Sequence, residues 1–303
     1  MQLTKEQIEF LKKQHIHICI PCYGGQCSES LVTGLINFSK YAFAIGMNFS
    51  LQTLCNESLV PRARNTLTAQ FLANSAATHL MFIDSDISFA PEHIFKLILD
   101  NKEIVGGLYP KKTLPPDYVV NVSPDAIDKE GHVKLVDGLI PVSRLGTGFM
   151  LIKREVFEKF MVAYPKTHFI NNIGLDPALD KYMYAFFDCY ITNDSRLEYM
   201  SEDWSFCSHC RVIGVECFCD PVLKLNHFGS FMYPGDPAQL YKKMGVDMAT
   251  TPSLKPKIAM RQDEIADDSA RLQVQPDMDA LKKYLEEKAA KEQELKNGNI
   301  AAK

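Results

Sequence analysis

No uninterrupted apolar stretch in this 303-residue chain approaches the roughly 18 residues of a membrane-spanning helix. The opening MQLTKEQIEFLKKQ lacks the apolar h-region of a secretory signal and reads instead as a charged, amphipathic helix. Basic excess is missing too: 33 Lys and Arg stand against 37 Asp and Glu, a net charge of -4. That balance gives no general attraction to nucleic acid or to anionic membranes. There is no internal repeat and no P-loop signature, and tryptophan occurs once, at Trp204. These absences predict a soluble protein that neither spans a membrane nor binds nucleic acid.

Cysteine is present but unpatterned. Nine Cys, odd in number and scattered, argue against a disulfide framework and for a reducing, cytoplasmic setting. The one dense group, Cys207, Cys210, Cys217 and Cys219 with His209 between, is formally CxxC followed by CxC. Zinc sites built from such pairs leave a longer loop between them, and the first pair reads as helical, so buried thiols are the simpler expectation.

An apolar content of 46% supports a sizeable core in one large domain. Strand and helix patterns alternate. Residues 15–20 read as a strand ending in a turn at Pro21, Cys22, Tyr23, Gly24 and Gly25; 28–44 as a helix; 48–54 as a strand; 62–76 as a helix; 80–83 as a strand. Pro91 opens a helix over 92–99, followed by a strand over 103–107. This predicts an α/β fold with a mostly parallel sheet and right-handed crossovers. Residues 109–145, richer in Pro, Gly and charge, read as loops with short hairpins. A glycine turn then leads into an apolar strand through Ile152, and helices follow over 154–161 and from Ser201, whose hydroxyl is placed to cap. Residues 215–219 and 222–225 have strand character, and 277–296 form a strongly charged helix.

The densest chemistry is HLMFIDSD, residues 79–86, where an apolar run delivers two carboxylates one residue apart. Side chains alternate faces along a strand, so Asp84 and Asp86 converge only if the strand ends and the chain turns at Ser85. The carboxyl edge of an open α/β sheet is where such folds bind ligands. Carboxylates suit Mg²⁺ or Mn²⁺, which is usually held by one or two of them plus substrate phosphates. The alternative is that Asp84 caps the following helix while Asp86 is solvated.

Four elements stand in order: the Pro21-Cys22-Tyr23 turn; Val60-Pro61-Arg62-Ala63-Arg64-Asn65; Asp84-Ser85-Asp86; and Glu202-Asp203 with a later Asn226-His227-Phe228-Gly229. The set resembles the GT-A glycosyltransferases, most closely family-2-like enzymes that use nucleotide-sugar donors, over about residues 15–230. The resemblance implies a Rossmann-like domain over 1–235, its nucleotide-sugar half about 15–110 and its acceptor half about 111–235, followed by a 236–303 extension.

It further implies that Asp84 faces the donor ribose or the metal's water shell, that Asp86 binds a bridging Mn²⁺ or Mg²⁺, and that His227 is a further metal ligand. Arg62, Arg64 and Asn65 would serve phosphate, the Asp loop, base or ribose, with Ser85 in the same loop. Pro21 and Tyr23 would pack on the nucleobase. Asp203, or Glu202, would be the general base of an inverting enzyme; if the pair only stabilises a helix dipole, a retaining enzyme is the alternative. Gly146, Thr147 and Gly148 would line the acceptor side, where Trp204 could stack on a sugar. The family's processive members carry a Gln-x-x-Arg-Trp motif that this sequence lacks, which argues against a processive synthase.

The expected partners are therefore a nucleotide-sugar, with UDP favoured, and a hydroxyl acceptor on a glycan, a protein or a small molecule. The charged tail helix offers a surface for self-association. Two other readings stay open. Asp84 and Asp86 also resemble the acidic pair of haloacid-dehalogenase-type phosphatases, although that motif usually sits on the first strand and no later Lys and Asp pair follows. A non-catalytic nucleotide- or carbohydrate-binding scaffold is favoured if the acidic pair cannot reach the metal site.

Overall fold

The structure, a computed structural model, describes residues 2–115, 117–118, 121–238, 253–254 and 268–301, with 253–254, 268 and 297–301 described as backbone. The chain begins with α1 (Lys5–Lys12), β1 (His15–Cys22), α2 (Glu29–Ile45), β2 (Asn48–Cys55), α3 (Val60–Ala73), β3 (His79–Ile83), β4 (Ile87–Ser88), α4 (Pro91–Asp100) and β5 (Ile104–Gly107). It continues with β6 (Asn121–Val122), β7 (Val133–Lys134), β8 (Ile140–Arg144), β9 (Phe149–Lys153), α5 (Arg154–Ala163), β10 (Tyr190–Ile191), β11 (Tyr199–Met200) and α6 (Glu202–Val212). Then come β12 (Cys217–Asp220), β13 (Asn226–Phe228), β14 (Met232–Tyr233), β15 (Ser253–Leu254), α7 (Asp268–Arg271) and α8 (Met278–Ala301).

Eight strands form one sheet in the order β2-β1-β3-β9-β5-β12-β8-β6. The pairs β1 with β2, β1 with β3 and β5 with β12 are parallel, whereas β9 runs antiparallel between β3 and β5, and β8 antiparallel to β12 and β6. Six of the eight strands thus run the same way, as the mostly parallel expectation has it, while β9 and β8 are reversed. Both are apolar and buried, so their composition carries no mark of direction.

Helices cover both faces. Leu11 of α1, Leu31 and Phe38 of α2, and Ile94 and Phe95 of α4 pack in one cluster with Ile18, Ile20, Met81 and Ile83. Leu67 and Phe71 of α3, Phe157 and Phe160 of α5, and Phe206 of α6 pack in the other with Cys19, Leu80 and Phe82. The period-2 alternation along β3 therefore decides which helix meets the residue that follows it. Phe82 faces α3, Ile83 faces α2 and α4, and Asp84 turns back toward α3.

Local signals explain the element ends. Thr4 and Gln7 close a capping box on α1, and Pro91 opens α4. Ser201 precedes α6, but its hydroxyl does not cap the helix; it donates to Asp203 Oδ1 at 2.5 Å. The predicted strand over 222–225 does not form. The chain pairs one step later, where β13 adds to β4 and β14 as a small antiparallel ribbon at the carboxyl edge.

Cys19, Cys22, Cys207, Cys210, Cys217 and Cys219 are buried, the last four within the α3/α5/α6 core. The charged tail helix α8 packs on α5, burying Leu281 and letting Tyr284 Oη donate to Glu158. Just before it, Arg271 is buried against Glu198 and Asp194. Among the described residues no helix is long and apolar enough to cross a membrane.

Candidate functional site

β1 and β3 are adjacent and parallel, so the loops leaving their carboxyl ends share one edge. The amide of Ser28 donates to the carbonyl of Ser85 at 2.8 Å, tying the first loop to the acidic loop. Pro21 is still within β1, while Tyr23 lies in the turn beyond it, a residue 68% exposed. The acidic loop is a tight turn in which the amide of Ile87 donates to the carbonyl of Asp84, and the amide of Asp84 is held by Gly148.

Asp84 and Asp86 are separated by that turn and take different partners. Arg64 of α3, its side chain 4% exposed, donates through Nη2 to Asp84 Oδ1 at 2.9 Å and through Nε to Glu202 Oε1 at 3.3 Å. Its guanidinium also stands over the Phe82 ring, 5.2 Å from the centroid. Burial alone would lower the Arg64 pKa, but the charges of Asp84 and Glu202 outweigh it and hold the cation. One carboxylate of the motif is therefore paired through Oδ1 with a fixed arginine.

Asp86 faces the other way. Its Oδ1 lies 3.4 Å from His227 Nε2, and Lys112 Nζ sits 2.5 Å from its Oδ2. Burial raises the Asp86 pKa, yet hydrogen bonds from His227 and Lys112 prevail and hold it below the usual carboxylate value. His227 Nδ1 donates to the carbonyl of Pro110 at 2.8 Å, which orients the ring with Nε2 toward Asp86; in the neutral ring that nitrogen would offer its lone pair to a cation. An imidazole oriented by a carbonyl beside a half-buried carboxylate offers two ligand atoms of the kind a divalent cation would take, the other positions falling to water and substrate oxygens. The two residues fit the Mn²⁺ or Mg²⁺ that the resemblance implies.

A cavity of about 220 Å³ opens beside this pair, lined by His227, Tyr109, Gly146, Arg144, Asp203 and Trp204, among others. Asp203, heading α6, accepts from the hydroxyl of Ser201 and, at 2.8 Å, from the amide of Trp204. Burial, then the neighbouring charge of Glu202, raises its pKa. The Tyr109 hydroxyl is shifted upward by burial, then by the charges of Asp84 and Asp203. Trp204 lines the same space with the Arg144 guanidinium 4.5 Å from its ring centroid.

Tyr109 also explains two glycines. Its hydroxyl accepts from the Gly148 amide at 3.1 Å. A Cβ at Gly146 would lie 2.3 Å from that hydroxyl, and one at Gly148 2.7 Å from the ring, so any larger residue must displace the phenol. Thr147 between them is buried at 2% exposure.

Two expected donor residues already have protein partners. Arg62 forms a two-pronged pair with Glu57, at 2.6 and 2.9 Å. Asn65, 4% exposed, donates to the carbonyl of Phe187 and accepts from its amide, both at 2.9 Å. Both ends of its amide are engaged, so it pins a loop to α3 and is not available to a base or ribose. Lys112 and Tyr109 are functional candidates that sequence reading missed. The signal lay in their position, within five residues of the carboxyl end of β5.

Asp128, Glu130 and His132 also come together, but Asp128 Oδ1 accepts from the amides of Glu130 and His132, which makes the group a loop turn.

No protein-family model matches the chain, and no curated protein matches it. Among solved structures it is similar to A197 from STIV, with 20% identity over 71% of this chain and 86% of that one, at a TM-score of 0.42. It is similar as well to S. aureus TarS 1-349, with 12% identity over 76% of this chain and 63% of that one, at a TM-score of 0.34. A glycosyltransferase involved in the glycosylation of the major capsid of PBCV-1 matches with 14% identity over 47% of this chain and 61% of that one, at a TM-score of 0.27. None reaches a TM-score of 0.5, and the likeness assigns no activity to this chain.

Proposed function

We propose that this protein is a metal-dependent glycosyltransferase of the GT-A type, moving a hexosyl group from a nucleotide-sugar, UDP-linked by preference, to a hydroxyl acceptor. The observation that carries the reading is the single cavity shared by His227 of the cation site and Asp203. A sugar held with its diphosphate at Asp86 and His227 would present its anomeric carbon to that space, where an acceptor hydroxyl meets a carboxylate.

Mn²⁺ or Mg²⁺ at Asp86 and His227 would supply Lewis-acid stabilisation of the departing diphosphate. The chain's own residues do the rest. Tyr23 offers a face to the nucleobase. Arg64 holds the Asp84 carboxylate and the head of α6 in one frame, so that Glu202 and Asp203 keep a fixed distance from the donor loop. Asp203 takes the acceptor's proton; its raised pKa makes it a better proton acceptor than an ordinary exposed aspartate. A base facing the acceptor across the donor sugar fits direct displacement with inversion. Trp204 gives the acceptor a flat apolar wall.

The phosphatase alternative requires Asp84 as a free nucleophile, and the buried Arg64 contact argues against that role. The non-catalytic alternative is less favoured because Asp203 lines the same cavity as His227. Incubation with UDP-hexoses and Mn²⁺, read by ligand-observed NMR, tests the proposal. Saturation transfer to both the uracil and the sugar protons supports it, and transfer to neither contradicts it.

A further inference from the structure

We propose that Lys112 is a movable counter-ion that closes the cation site when it is empty of substrate and passes to a donor phosphate oxygen when the site fills. The inference rests on the reading of Asp86 and His227 as a divalent-cation site.

The two aspartates of the motif have cationic partners of opposite character. Arg64 is buried, forked and locked between Asp84 and Glu202, and it cannot leave without stranding two carboxylates. Lys112 is 39% exposed, reaches Asp86 from the loop after β5, and makes one ion pair there. An ammonium on a four-carbon stem is a compact, hydrated charge that exchanges partners easily.

The stem lies against Gly229, where a Cβ would come within 3.1 Å of Lys112 Cδ, so this position carries no side chain to crowd the lysine. The loop itself is braced behind the lysine. The Lys111 amide donates to the carbonyl of Asp117 at 2.7 Å and Lys111 Nζ pairs with Asp117 at 3.0 Å, so Lys112 can swing while its backbone stays in place.

Charge then sets the direction. Lys112 and a divalent ion compete for the same Asp86 carboxylate and repel one another across it. The group that relieves the conflict is the donor diphosphate, which brings negative charge to the same spot and accepts from an ammonium as readily as a carboxylate does. Lys112 thus weakens binding of the bare ion and strengthens binding of the ion together with nucleotide.

The test is titration of Mn²⁺ alone, then of UDP and GDP in the presence of Mn²⁺, into the full chain and into Lys112→Met. The variant is expected to bind Mn²⁺ alone about tenfold more tightly and the nucleotide about tenfold more weakly, opposite signs that a merely structural role would not produce. Lys112→Arg should restore the nucleotide affinity in part. Equal or weaker Mn²⁺ affinity in Lys112→Met, or unchanged nucleotide affinity, overturns the proposal while leaving the cation site standing. Absence of Mn²⁺ binding in both proteins overturns the site and this inference together.

Discussion

Asp84 and Asp86 stand one residue apart in the chain and belong to different electrostatic systems, the first bound by the buried Arg64 at 2.9 Å and the second by the exposed Lys112 at 2.5 Å. The turn at Ser85 makes the separation. It gives the site one carboxylate that acts as a structural anchor and one that is open to exchange.

The anchor should be costly to remove. Arg64→Met leaves Asp84 and Glu202 facing each other without their shared cation, and breaking a buried pair from one side costs about 3 to 5 kcal/mol. Urea unfolding is expected to show a loss in that range; a loss below about 1 kcal/mol would show that the cluster is solvated.

Asn65 separates architecture from ligand binding. Its two hydrogen bonds to the Phe187 backbone are buried, so Asn65→Ala is expected to destabilise the fold by about 2 kcal/mol. Nucleotide affinity should be unchanged. A variant of native stability with weakened nucleotide binding would return Asn65 to the donor site.

Acid should loosen the fold before the carboxylates titrate. Burial lowers the pKa values of His17, His79 and His209 to about 4, with His15 and Arg154 adding for His17 and Lys153 for His79. These groups are neutral when folded and take up protons at about pH 6.5 when unfolded. Their contribution is therefore complete above that pH and lost as pH falls toward 4. The slope reaches about 1.4 kcal/mol per pH unit for each histidine. Urea midpoints at pH 7, 6 and 5 should fall in order, and a flat series would mean that the three imidazoles protonate without opening the core.

Asp203→Asn keeps the shape of the acceptor cavity and removes its base. Turnover is expected to fall about 10²- to 10⁴-fold with nucleotide affinity unchanged. Parallel losses in both would indicate that Asp203 shapes the site and does not take the acceptor's proton.

Much of this site was legible in the sequence because its parts are local. An apolar run broken by Asp84 and Asp86 announces a strand end, and Pro91 announces a helix start in the right place. What stayed hidden depends on partners far along the chain. Arg64 and Glu202 are 138 residues apart and Asn65 and Phe187 122, so nothing near α3 distinguishes a bracket from a ligand. The reversal of β9 is equally silent, since a strand buried on both faces reads the same in either direction. Lys112 went unnoticed because a lysine in a polar loop resembles any solvated charge until Asp86 is found beside it.

The most direct measurement is calorimetric titration of UDP and GDP, each with and without Mn²⁺, into the intact protein and into Asp86→Ala. The account predicts that one nucleotide binds tightly only when both Mn²⁺ and Asp86 are present. Nucleotide binding that ignores the metal and survives loss of Asp86, or no binding of either nucleotide, would contradict it.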